Sequence, residues 1–213
     1  QKMSWAVSSS DVVLITRLAQ CSYPVREKVA INPHTPPTLL AKLAADVEVS
    51  VRASVASNLS TPVETLEELF ASRDVFISRA LAANPTTPVF ILDQLESAGR
   101  DTCMALVLNP SATADILTKV VYSSRLYFSD LERLARNEKI SDVLQTVLIQ
   151  DRSTDFLLAV NPGVNADTLT HLASSKNSIV QLNVARHQRT PSSVLYDLAA
   201  PAESLEAVST VTF

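Results

Sequence analysis

At 213 residues, with 46% apolar side chains, 19% charged side chains and a formal charge of −4, the chain has the makeup of a folded domain with a continuous core rather than of a disordered segment. The acidic balance argues against a nucleic-acid binder, which ordinarily carries a basic stripe or a basic total. Cys21 and Cys103 stand far apart with no Cys-x-x-Cys pair and no neighbouring His, so no zinc or iron–sulfur ligand set is present; two buried free thiols in a reducing, cytoplasmic setting are the expectation.

The chain opens on Gln1 and Lys2 before Met3, and its first apolar run, Val12-Val13-Leu14-Ile15 between Asp11 and Arg17, is too short for a membrane span and lacks the form of a secretory signal. Ser10-Asp11 followed by Leu14, Leu18 and Ala19 reads as a half-unit, so residues 1–24 are expected to form an N-terminal cap. From Val25 onward a motif recurs. Its clear copies are Val29-Ala30-Ile31-Asn32-Pro33-His34-Thr35-Pro36, Val55-Ala56-Ser57-Asn58-Leu59-Ser60-Thr61-Pro62 and Leu81-Ala82-Ala83-Asn84-Pro85-Thr86-Thr87-Pro88. Weaker copies centre on Asn109, Asn137 and Asn161, and the last has His187 in the Asn place. Taking that residue as an anchor, the steps are 26, 26, 25, 28, 24 and 26 residues. Self-similarity of this period predicts an all-α solenoid of about seven two-helix units across residues 25–199, in which no unit can bury its apolar face alone.

The unit around Asn58 serves as the template. Val51, Val55 and Ala56 share one side of a first helix, with Arg52 and Ser54 turned outward. Asn58, a residue type tolerant of left-handed angles, ends it. Thr61 is read as the N-cap of a second helix, with Pro62 at its first position and Glu64 closing a capping box; Leu66, Leu69 and Phe70 then form its buried stripe. Counting eight and eleven residues past each anchor gives Leu or Val at thirteen of fourteen places, Gln145 being the departure, which keeps the register through weak copies. Nine of the eleven prolines fall in the corner between first and second helix, where they stop one helix and restart the next.

The register loosens in the middle. Asn137-Glu138-Lys139-Ile140-Ser141-Asp142 has lost both prolines, the stretch 122–142 reads as irregular, and a change of curvature or an insertion is expected near residues 122–136. Residues 200–213, with Leu205 and Val208 placed to start another first helix, are read as a cap or a truncated unit.

The run Val51-Arg52-x-x-Val55-Ala56-x-Asn58-x-x-Thr61-Pro62, followed by Leu66 and Leu69, resembles the leucine-rich repeat variant family. The resemblance covers roughly Val25 to Ala199 and implies a right-handed superhelix that pairs a short, often 3₁₀, helix with a longer one. The family's cluster-bearing member adds a cysteine-rich segment that this sequence lacks, so no redox cofactor is implied. The Arg after the first Val appears at Arg26 and Arg52, is shifted to Arg79, and is replaced by Cys103 in the fourth unit.

No Gly-rich phosphate loop, nucleophile elbow or His-Glu-x-x-His motif is present, and His34, His171 and His187 occupy unrelated places, so no catalytic residue, metal or cofactor is assigned. Charge is sorted by position. Second helices carry Glu64, Glu67, Glu68, Asp93, Asp115, Asp167 and Asp197, with Lys42 and Lys119 as exceptions; first helices and their flanks carry Arg26, Lys28, Arg52, Arg79, Arg133 and Arg186. Arg26, Arg52, Arg79, Arg133 and Arg186 are the candidate partner-binding residues, since equivalent solenoid positions line up into a strip. The same arginines could instead pair with Glu27, Asp46, Glu48 or Asp74. Phe76, Tyr122, Tyr127 and Phe128 are expected in the packing. The expected function is a non-enzymatic scaffold binding another protein or peptide on its concave surface. The alternatives are nucleic-acid binding, by analogy with HEAT-like DNA glycosylases, and a structural segment of a larger protein; no membrane partner is expected.

Overall fold

A computed structural model of the chain describes residues 10–123, 126–150 and 152–200. The fold is all-α: among the described residues there are fifteen α-helices and no strand. The chain divides into two compact units, residues 1–126 and 127–213, and the division falls within the stretch where the motif loosens. In the first unit α1 (Val12–Leu18) precedes four helix pairs: α2 (Tyr23–Ile31) and α3 (Pro37–Leu43), α4 (Val49–Ser57) and α5 (Val63–Ala71), α6 (Val75–Ala83) and α7 (Val89–Leu95), α8 (Arg100–Val107) and α9 (Ala114–Val121). The second unit holds α10 (Phe128–Ala135) and α11 (Asp142–Leu148), a 3₁₀ turn (Arg152–Thr154) leading into α12 (Asp155–Val160) and then α13 (Ala166–Ala173), and finally α14 (Ser178–Arg186) and α15 (Ser192–Ala199). Residues 1–9 of the expected N-terminal cap, and the 201–213 segment with Leu205 and Val208, lie outside the described residues. Among the described residues no helix is long and apolar enough to cross a membrane.

Two expectations about the helices are corrected. In the first unit the first helices are not short or 3₁₀: α2, α4 and α6 are nine-residue α-helices, whereas α3 and α7 have seven residues; in the second unit the 3₁₀ turn and six-residue α12 before the eight-residue α13 do follow the expected form. The second helices that follow a Thr-Pro corner are not capped by Thr. Pro62 occupies the N-cap place of α5 with no side-chain cap, because Thr61 turns its hydroxyl the other way and donates to Val55 O at 2.6 Å. Thr35 and Thr87 do the same to Val29 O and Leu81 O. Each corner is thus closed onto the helix it leaves rather than the one it enters. α1, by contrast, is capped by Asp11 Oδ1, which accepts from the Val13 and Leu14 amides, and it buries Ile15 and Leu18 rather than Leu14.

The apolar register dictates the core. Val51, Val55, Ala56 and Leu66 are fully buried and Leu69 nearly so, with Thr65 taking the place expected for the half-buried Phe70. In the first unit α2 packs on α4, α4 on α6 and α6 on α8, and these are its most extensive helix contacts. The small residue two places before each anchor, Ala30, Ala56 and Ala82, is fully buried and lets the first helices approach closely. Leu195, at 39% exposure, and the half-buried Leu198 depart from the otherwise buried Leu places, since α15 is the last helix of the described chain. Phe76, Tyr122, Tyr127 and Phe128 are exposed, correcting the expectation that they pack. In α6 the inward places belong to Ile77, Leu81 and Ala82, which leaves Phe76 on the open side.

Candidate functional site

The most constrained polar chemistry lies in the corners. Asn58 does not adopt a left-handed backbone; it is extended (φ −79°, ψ 126°), buried, and directs its amide across to the preceding corner. Its Nδ2 donates to Ala30 O at 2.7 Å and Asn32 O at 2.9 Å, while its Oδ1 accepts from Ser60 N at 2.9 Å. Asn84 repeats this on Ala56 O and Asn58 O, and Asn109 on Ala82 O and Asn84 O. In the second unit Asn161 donates to Ala135 O and Asn137 O. The C-terminal carbonyls of a helix have no partner within that helix, and here the next anchor supplies one. His187 reproduces the arrangement with a ring: Nε2 lies 3.0 Å from Asn161 O and Nδ1 accepts from Arg189 N at 3.1 Å. With Nδ1 accepting, Nε2 is the ring nitrogen placed to donate to Asn161 O.

A second recurring position, six residues before the anchor, bridges four of the first helices to the segment before them. Arg26 Nη1 donates to Cys21 O, Arg52 Nη1 to Asp46 O, Cys103 Sγ to Glu96 O, and Gln181 Nε2 to Ala173 O. Residues as unlike as Arg, Cys and Gln perform one task there, satisfying carbonyls at the end of the preceding helix. Arg26 also makes a two-point contact with Asp46, Nε to Oδ2 at 2.5 Å and Nη2 to Oδ1 at 2.8 Å. Cys103 is buried, whereas Cys21 is half-buried, and both thiols are free.

The hydrogen bond from Arg26 holds the Asp46 carboxyl below the usual carboxylate range, reinforced by the Glu48 amide and the charge of Arg52. A depressed folded-state value stabilises the fold above the unfolded-state value of about 3.9, and the contribution is lost as pH falls through the folded value. Asp46→Asn should therefore melt below the wild type at pH 7, and the gap should close on acidification below about pH 4. Thermal melts of both proteins across that range check it, and a gap of constant size would refute it.

The five candidate arginines do not share one position. Counted back from the anchor they stand at six (Arg26, Arg52), five (Arg79), four (Arg133) and one (Arg186), and at 100° per residue these places point in different directions. Arg26 and Arg52 are engaged with Asp46 and backbone carbonyls. Arg79, Arg133 and Arg186 are exposed. Asp74 caps α6 instead of meeting an arginine, and Glu27 lies beside Lys28. The acidic places of the second helices are exposed or half-buried, and Lys119 joins α9 to α7 through Asp93 at 2.6 Å.

In the second unit the ends of α12 and α14 and their two corners enclose an open cleft of ≈ 470 Å³. Its walls include Val160, Pro162, Asn183, Arg186, His187 and Arg189, and among the described residues no carboxylate lines it. Arg189 and Asn183 were not singled out by sequence reasoning; the signal available was the basic run around His187. Among the described residues no group of three His, Cys, Asp or Glu side chains is placed to hold a metal ion. Compared with known proteins, the chain matches no family model, no curated protein and no solved structure.

Proposed function

We propose that the chain is a non-enzymatic scaffold that binds a protein or peptide segment along its row of first helices. In this reading the helix pairs are units of the leucine-rich repeat variant kind, about seven in number and wound into a right-handed superhelix. The observation that carries it is the anchor ladder: Asn58, Asn84 and Asn109 each tie one first helix to the one before, so equivalent exposed positions come into line. Within residues 10–123 the extensive helix–helix contacts are those between successive first helices, which supports placing the first helices on the inner surface. The places just before each anchor, Ile31, Ser57, Ala83 and Leu108, are exposed there. Small and apolar side chains without charge suit a polypeptide partner better than a phosphate backbone. Two free thiols fit a cytoplasmic setting.

The test is selection of peptides from a displayed library on the intact chain, followed by hydrogen-exchange footprinting of a selected binder. Protection concentrated on the first helices is the expected result. Protection confined to second helices, or tighter binding of single-stranded or duplex DNA that weakens steeply with salt, would overturn the reading.

A further inference from the structure

The cleft at the ends of α12 and α14 places two arginines beside an apolar wall. Arg186 and Arg189 are exposed at its rim and have no ion-pair partner among the described residues; the Arg189 guanidinium makes a long contact, 3.4 Å, with Gly163 O. Two guanidinium groups with no carboxylate partner among the described residues therefore border one cleft, beside an apolar wall of Val160 and Pro162.

We propose that this cleft seats an acidic side chain of an extended peptide: its carboxylate bridges Arg186 and Arg189, and a neighbouring apolar side chain lies against Val160 and Pro162. The proposal rests on the scaffold reading and names its ligand class. A guanidinium fork matches a carboxylate in two-point geometry. The walls suit one anionic group with apolar company. A nucleic-acid strand would instead need a series of cations, and the chain as a whole carries a charge of −4.

The probe is a short fluorescein-labelled peptide alternating Glu and Leu, titrated with the full chain at low salt and read by fluorescence anisotropy. Saturable binding is expected, with the Gln-for-Glu peptide failing to bind. R186A/R189A should weaken binding by roughly tenfold or more, as loss of both charge-assisted contacts requires. Equal binding by wild type and R186A/R189A, equal binding of the Gln peptide, or preference for an oligonucleotide would each overturn the proposal. If library-selected peptides bind wild type and R186A/R189A alike, this site falls and the scaffold reading stands; if no peptide binds at all, both fall.

Discussion

Asn58→Ala is expected to cost about 2–4 kcal/mol of folding stability, among the largest losses available from one side chain in this protein. The substitution removes a buried amide that meets three backbone groups, Ala30 O, Asn32 O and Ser60 N, and leaves each without that partner in a site closed to water. Asn58→Asp sharpens the test. It keeps the shape and the acceptor for Ser60 N but replaces the donor with a carboxylate facing two carbonyl oxygens, so at neutral pH it should be worse than Ala. Repulsion raises the folded-state value of the introduced carboxylate above that of the unfolded chain, so its penalty is smallest at low pH and grows as pH rises through the window between the two values. Urea denaturation of the three proteins at pH 4 and pH 7 reads this directly. Ala-like stability of the Asp variant at pH 7 would show that the Nδ2 bonds contribute little.

Gly163→Ala should cost about 3 kcal/mol, through a different cause. A Cβ built at Gly163 would stand 2.0 Å from Glu138 O and 2.7 Å from Glu138 C, both backbone atoms of the preceding corner, and 3.2 Å from Asn161 Oδ1. Neither corner can yield without drawing Asn161 away from Ala135 O and Asn137 O. The equivalent places in other copies carry side chains, and Ser60 and Ser111 even use theirs to reach Pro33 O and Pro85 O. The difference lies in the step from Asn137 to Asn161, at 24 residues the shortest in the chain. Gly99 is a useful contrast: its φ of +107° favours glycine, but nothing stands within 4 Å, so substitution there incurs backbone strain alone. Denaturation midpoints for Gly163→Ala, with Ser60→Gly as the comparison, should show a large loss for the first and a small one for the second.

Much of the helical order was legible from local signals. Apolar spacing located the buried places of α2 to α9, and the Asn-Pro steps located the ends of first helices, because both follow from periodicity and from the angles proline permits. The polar assignments fared less well. Thr61 looks like an N-cap in sequence, yet its hydroxyl closes the corner backwards. Gln145 looks like a lapse in the Leu register. It is fully buried and linked on both sides, its Nε2 to Ile140 O and its Oε1 to Asn165 N, so it ties two corners where a proline-less one would otherwise leave groups unpaired. Arg26 and Arg52, read either as part of a binding strip or as paired with nearby acids, hold loops through backbone carbonyls.

The candidate cleft was the least legible feature. Arg186 was named among the arginines, but Asn183 sits in an ordinary helical place and Arg189 in a corner. Only the meeting of α12 with α14 makes them neighbours of Val160 and Pro162.

The sequence by itself determined the helix pairs, their period and the apolar residues they bury, since each depends on residues a few places apart. Tertiary structure decided what the anchors do and which residues form the cleft. A buried polar group must find its partner wherever a complementary group comes to rest, and for Asn58 Nδ2 that group lies 28 residues back, on Ala30.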